Sequence, residues 1–396
     1  MNILICDLNI SRSGHNASYA QYIVDNLTVN SGEQISFFFN STARIMIDIS
    51  KSMVAEEHFI FTQRDFIQDN LVGRLKFREW NLIKSLAAEL GIDHLFILDL
   101  TRYEIQISRS TLPYKISGIE FRPSHRIRAS NGSFPIRLQA KLQRLKRIFF
   151  ESILLRSKSL TNVFILNDET GVNQLNRRYH TGVFKHLVDP VFDYNKLNND
   201  AIVKLPKINK NKVKLLLFGA MDWRKNIQNI FNALSLLDPS MHPTICLLII
   251  GKVPEYYLNE FHIMLTEFQS RSPLIEVIVV NDFVSNNHME YYFEISDISL
   301  LVYAKFYGSS GLVGRAAKYG IISLVSNVGL MAEMCVNYRL GYVCDPNSPV
   351  DIKEKILLAF SDVQKKIKID GFKFISDHSP LRFLHLLGFS NQTSID

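Results

Sequence analysis

Short apolar runs alternate with stretches of helical periodicity along most of the chain. Residues 3–6, 35–39, 59–62, 95–98 and 163–166 are apolar and rich in β-branched or aromatic side chains, and polar or turn-forming residues bound them. Runs of this kind predict buried strands. Helical patterns intervene at 17–27 and 81–90, and the alternation restarts with apolar runs at 214–218, 245–250, 276–280, 298–302 and 322–325. Strands alternating with helices predict an α/β fold with parallel sheets covered by helices. Between the two series lies a polar, Asn- and Lys-rich stretch of low strand and helix propensity. The expected organisation is therefore a first domain over 1–190, a linker over 191–212, a second domain over 213–370, and a segment 371–396 that packs back on the first domain. Two doubly wound domains facing each other place a ligand cleft at the carboxyl ends of both sheets.

Composition narrows this picture. With 396 residues, 47% hydrophobic and 21% charged, the chain is long enough for two globular cores. No apolar run approaches the roughly 20 residues that span a bilayer. The opening MNILICD lacks a basic region and a small-residue cleavage site, and reads as a first strand. The four cysteines form no CxxC pair, which points to a reducing, cytoplasmic compartment. There is no His/Cys cluster with metal spacing, no G-x-S-x-G elbow and no P-loop, and no G-x-G-x-x-G follows the first strand. Metal, serine-hydrolase, P-loop and dinucleotide chemistries are thereby disfavoured.

Two segments suit a phosphate. Residues 307–320 run YGSSGLVGRAAKYG, a Gly/Ser-rich turn entering an amphipathic helix with Ser309 or Ser310 as N-cap. Free N–H groups at Ser309, Ser310 and Gly311, with the positive end of the helix dipole, favour an anion, and small side chains let it approach the backbone. Residues 218–226 run FGAMDWRKN, where Gly219 allows a tight exit from a strand and Arg224 and Lys225 open the next helix. Cations there oppose the helix dipole, a placement that makes sense with an anion between them. An ordinary capped helix and a solvated Arg-Lys pair are the plain structural alternatives.

Together these segments resemble the C-terminal domain of family 4 glycosyltransferases and their GT-B relatives, in which a glycine and an Arg-Lys cluster bind the donor diphosphate and a Gly-rich turn and helix follow. Further colinear segments are similar: Ser296 and Asp297 before a strand, GIISLVS at 320–326, Gly329 to Glu333, and GYVCDP at 341–346. The resemblance spans about residues 215–350. It departs where the family carries paired glutamates, which here fall on Tyr307 and Arg315, so neither glutamate role transfers. Tyr307, Arg315, Phe283 and Glu333 become candidate donor-site residues, with base recognition expected around residues 281–284.

In the first half, a loop containing Ser13, Gly14 and His15 follows strand one, where GT-B enzymes often carry a glycine-rich loop near the reaction centre. His15 is a candidate to hydrogen-bond a sugar hydroxyl or phosphate, and Asp99, at a strand end, to orient an acceptor hydroxyl as general base. Helix capping and turn formation are the alternatives. Between Phe121 and Lys158 there are ten basic residues against Glu151 alone, a net +9 in a chain of net +7. This region ends in a predicted helix over 136–157, whose Leu138, Leu142, Leu145 and Phe149 share a face while Arg137, Lys141, Arg144, Lys146 and Arg147 crowd the rest. Such a helix suits an anionic membrane surface or a core-packed element with a solvated back, and nucleic acid ranks last as partner.

The resemblance implies a GT-B fold of two Rossmann-like domains and a glycosyltransferase that moves sugar from a nucleotide diphosphate sugar to a glycan or lipid-linked acceptor. It implies a retaining, metal-independent reaction with no cofactor beyond the nucleotide sugar, in polysaccharide or glycoconjugate biosynthesis. A non-catalytic GT-B subunit that binds glycan or scaffolds a partner, and a nucleotide-sugar epimerase, are the alternatives.

Overall fold

Why the apolar runs become parallel strands is visible in their burial. The computed structural model describes residues 1–11, 16–29, 31–63, 72–121, 123–127, 134–198, 201, 202, 205–304, 306 and 308–389. Contacts divide the chain into two compact units, Met1–Asp189 with the segment that begins at Pro380, and Pro190–Ser379. In the first, Leu4, Ile5 and Cys6 are wholly buried, as are Leu95, Ile97 and Ile116. Strands buried on both faces need helices above and below, which is the condition for parallel pairing.

The first unit's strands are β1 (Asn2–Asp7), β2 (Gln34–Phe39), β3 (Phe59–Phe61), β4 (His94–Ile97), β5 (Lys115–Glu120), β6 (Leu160–Leu166) and β7 (Phe184–Leu187). They pair in the order β3-β2-β1-β4-β5-β6-β7. Every pairing is parallel, with Ile3 opposite both Ile35 and His94. The second unit holds β8 (Val213–Phe218), β9 (Ile245–Ile250), β10 (Glu276–Val280), β11 (Ile298–Leu301), β12 (Ile322–Ser326) and β13 (Gly341–Cys344). Their order is β10-β9-β8-β11-β12-β13, again parallel throughout. In both sheets the strand order reverses beside the first strand, at β1/β4 and β8/β11. Ligands of open α/β sheets sit outside the carboxyl ends of the strands at that switch point.

Three strands escape the apolar-run criterion. β5 contains Lys115, Ser117 and Gly118, yet Gly118 is required because a Cβ there would overlap the Ile97 carbonyl of β4. β7 sets two polar residues, Lys185 and His186, between Phe184 and Leu187. β13 opens at Gly341, whose φ of +144° and contact with the Ser323 backbone exclude a side chain.

Segments beyond the sheets also settle into one unit each. The Val191 N–H donates to the His378 carbonyl (2.9 Å), and Val191 packs in a cluster with Val313, Ala317 and Phe374. The helix Phe372–Asp377 lies within the second unit, whereas the helix Pro380–Leu387 belongs to the first. There Phe383 meets Tyr19 at 5.1 Å between ring centroids and Phe389 meets Phe96 at 5.1 Å.

The basic helix runs Phe134–Leu154 rather than to residue 157. Its leucine stripe faces solvent, so the core-packed alternative does not hold. Arg147, expected among the outward basic residues, instead turns inward to Glu104 and Glu120. Within the wider basic region Arg126 is also buried, paired with Asp168 at 2.5 Å. Arg122 and Arg128 lie outside the described residues.

Candidate functional site

The β8/β11 switch point gathers the phosphate-oriented residues. β8 is followed by Gly219, whose φ of +98° only glycine adopts readily. Its neighbour Gly251 has no room for a side chain, because a Cβ there would overlap the Gly219 carbonyl. The chain then enters a 3-10 turn, Trp223–Lys225, because the Asp222 carboxylate accepts the Arg224 N–H at 3.0 Å. Asn226 follows in the left-handed region (φ 56°), and only then does the helix Ile227–Ser235 begin. Arg224 and Lys225 therefore precede the helix instead of opening it, and the dipole argument for their placement does not apply. What orients them is the Asp222 turn.

The two cations end differently. Arg224 keeps a half-exposed side chain paired to Asp222, with Nη2 at 2.6 Å. Lys225 is buried, 8% exposed, and its Nζ donates to the Phe218 carbonyl and to the Tyr303 hydroxyl at 2.8 Å. The ammonium also lies 4.4 Å from the centre of the Tyr303 ring. No carboxylate among the described residues is within ion-pair distance of it. An ammonium has three donors and two are committed, so one remains for a ligand. It has space on the Gly219 side, where a Cβ would lie 3.4 Å from Nζ.

Tyr303 joins this turn to the Gly/Ser segment. It follows β11, its carbonyl accepts from Ser326 Oγ at 2.6 Å, and the next N–H, of Ala304, donates to the Arg224 carbonyl at 2.8 Å. The same loop leads to the helix Gly311–Lys318, which Ser310, not Ser309, caps through Oγ to the Leu312 N–H at 3.4 Å. Gly219 and Lys225 thus meet the start of the loop that leads on to Ser309, Ser310 and Gly311, beyond the carboxyl ends of β8 and β11. Sequence reasoning missed Tyr303, since a lone tyrosine after an apolar strand carries no motif.

The remaining donor-side candidates are dispersed. Arg315 is buried and donates to Glu290 and to the Phe192 carbonyl at 2.7 Å. Lys318 (2.9 Å) and the Tyr319 hydroxyl converge on the same carboxylate, and the Tyr194 ring lies 5.0 Å from the Arg315 guanidinium. Arg315 thus grips the segment that enters the second unit. Phe283 is exposed after β10, and its N–H donates to Asp282 at 2.7 Å. Glu333 is exposed in the first turn of the helix Leu330–Asn337. Tyr307 lies outside the described residues.

At the β1/β4 switch point Asp99 is half-buried at the start of the 3-10 turn Leu100–Tyr103. Beside it stands a carboxylate that sequence reasoning passed over, Asp7 at the end of β1. Asp7 is 2% exposed and accepts the Asn9 N–H and the Asn16 side-chain amide, both at 2.7 Å. Burial above all, with the charge of Asp99 adding to it, pushes its pKa up to about 7 against those two hydrogen bonds. The nearby Arg102 is held bidentately by Glu79, at 2.7 and 2.6 Å. His15 lies outside the described residues. Among the described residues no group of three His, Cys, Asp or Glu side chains could hold a metal ion.

Comparison with known proteins bears on the fold and on one stretch of the second unit. Residues 198–370 match the family "glycosyl transferases group 1". Sucrose-phosphate synthase from Thermosynechococcus elongatus aligns with a TM-score of 0.68 at 13% identity, over 98% of this chain and 97% of its own. WaaG, a glycosyltransferase involved in lipopolysaccharide biosynthesis, aligns at 0.64 and 13%, over 98% and 100%. HepE of Anabaena, solved with UDP and glucose, aligns at 0.62 and 12%, over 98% of both chains. No curated protein matches this chain in sequence. The two parallel sheets define the GT-B class of glycosyltransferase folds. Within that fold, the stretch similar to group 1 glycosyltransferases is 198–370, most of the second unit.

Proposed function

We propose that the protein transfers a sugar from a nucleotide diphosphate sugar to a glycan or lipid-linked acceptor, with retention at the anomeric carbon and without a bound metal. The observation that carries this reading is Lys225, a buried ammonium without a carboxylate partner whose third donor is uncommitted beside a glycine strand exit. A buried charge is costly unless paired, so the site favours an anion. The amide-lined start of the helix Gly311–Lys318 supports a phosphate at the same edge. HepE has been solved with UDP and with UDP-glucose, and that is the donor chemistry we assign here.

As the bond from the sugar to the diphosphate breaks, the electron pair leaves on phosphate oxygen. Lys225, Arg224 and the N–H groups at Ser309–Gly311 stabilise that growing charge more than they stabilise the bound donor. The acceptor oxygen forms the new bond to the anomeric carbon and its proton passes to Asp99, assigned as the general base that orients the hydroxyl, while His15 is assigned to a sugar hydroxyl or a phosphate. We place the reaction in the cytoplasm, at the inner face of the membrane, in the assembly of cell-surface polysaccharide or glycoconjugate.

Lys225→Met tests this directly. Loss of one preorganised donor is expected to lower donor turnover by about a hundredfold or more. Nucleoside diphosphates from a panel of bases, which raise the melting temperature of the native protein on binding, should no longer do so in the variant. Unchanged nucleotide binding in folded Lys225→Met would refute the assignment. A second reading, a non-catalytic subunit, is favoured by Arg315, which occupies a family glutamate position and is spent on Glu290. Nucleotide-sugar binding without hydrolysis or transfer would select it.

A further inference from the structure

The helix Phe134–Leu154 is amphipathic in the reverse sense to an ordinary surface helix. Its inward side is held by charge: Arg147 donates to Glu104 at 2.8 Å through both Nη atoms, and Glu151 accepts from the Ser124 N–H and Oγ, both at 2.6 Å, and from Tyr179 at 2.8 Å. Its outward side carries Leu138, Leu142, Leu145 and Phe149, exposed by 45, 58, 53 and 59%. Spacings of four, three and four residues set these four in one stripe about 16 Å long at 1.5 Å per residue. Soluble helices turn such a stripe to the core because its burial is favourable. Here Arg147, Glu151 and Leu154 take the inward face and the four large apolar side chains are left outside, open to a partner beyond the chain.

Charge around the stripe identifies the partner. At 100° per residue, Lys141 and Arg144 fall on one flank and Lys146 on the other, all three exposed. The only acid in residues 134–154, Glu151, points inward, and exposed Arg156 and Lys158 extend the basic rim. A second copy of this helix would bring these cations against one another with no carboxylate between them, which disfavours a symmetric dimer. An apolar strip flanked by cations fits a surface that is apolar in depth and anionic at its face. We propose that this helix lies in the headgroup region of an anionic bilayer, with Leu138, Leu142, Leu145 and Phe149 inserted and Lys141, Arg144 and Lys146 on the lipid phosphates. The inference stands independently of the donor site, whose residues lie in the other unit.

The experiment is co-sedimentation of the full chain with vesicles of phosphatidylcholine alone and of phosphatidylcholine mixed with phosphatidylglycerol. Two triple variants are compared: Leu142→Gln/Leu145→Gln/Phe149→Gln, and Lys141→Glu/Arg144→Glu/Lys146→Glu. Both leave Arg147 and Glu151 untouched, and an unchanged melting temperature confirms folding. Wild type should bind the anionic vesicles and not the neutral ones, and each variant should bind about tenfold less or weaker still. Added salt should release the wild type. Equal binding to both vesicle types, or unchanged binding by the variants, overturns the proposal. So does a concentration-dependent dimer abolished by the leucine variant, or nucleic acid binding that replaces vesicle binding. Nucleotide affinity should be unaltered in both variants, which separates failure here from failure of the transferase reading.

Discussion

Single side chains at the two switch points make opposite uses of burial. Asp7 is buried beside another carboxylate and stays protonated to about pH 7, against 3.8 in an unconstrained chain. Between those values the folded state holds a proton that the unfolded state has released, so stability falls as pH rises across that window and levels off above it. Asp7→Asn removes the titration. Urea unfolding at pH 5 and pH 8 should show wild type losing on the order of a few kcal/mol more than the variant over that interval. Equal losses would mean that Asp7 ionises normally. Lys225 is buried with its Nζ in two hydrogen bonds, and Tyr303 accepts one of them. Tyr303→Phe should cost about 1.5–3 kcal/mol, the range for a hydrogen bond to a charged group. In a Lys225→Met background the same change should cost almost nothing, and that non-additivity is the signature of a direct pair.

Elements are held in place by contacts that cross long stretches of sequence. The helix Gly311–Lys318 starts at the Ser310 cap, while its far half, through Arg315 and Lys318, closes on Glu290 of the helix Asn286–Ile295. Glu290→Gln leaves two cations facing a neutral amide and should destabilise the second unit by about 3–5 kcal/mol, read as a shift in its unfolding midpoint. Glu290→Met with Arg315→Met should recover much of that loss, because the apolar pair removes the buried guanidinium and Lys318 keeps its other partner, Asp193, at 2.7 Å. Such pairings explain what could be read in advance. β8, β9 and β10 were legible because continuous apolar runs need no partner to be recognised. β5 was not, because Gly118 is chosen by the Ile97 carbonyl of a strand some twenty residues earlier. The glycine exit at Gly219 and the Ser310 cap were legible because local turn chemistry demands those residue types. The destination of Arg315 was not, since its partners Glu290 and Phe192 lie far away in sequence, and Asp7 passed as the last residue of an apolar strand.

At the level of the whole molecule, the chain builds its first sheet, passes into the second at Pro190, and returns from Pro380 to complete the first. The returning helix is structural there. Phe383 is wholly buried against Tyr19, Phe389 lies edge-on to Phe96, and the Thr28 N–H donates to the Phe389 carbonyl at 3.0 Å. Loss of a buried phenylalanine costs about 3–5 kcal/mol, so removal of everything after Ser379 strips the first unit of most of an ordinary stability margin. The residues we assign to a nucleotide all lie in the other unit. Calorimetry of the full chain should therefore resolve a transition raised by nucleoside diphosphate, whereas the 1–379 truncation should lower the other transition and leave the nucleotide-dependent one responsive. Ligand stabilises only the species that binds it, so the response assigns each transition to its unit. Truncation that abolished nucleotide binding together with the first transition would mean that the two units do not fold separately, and that the donor site depends on the returning segment.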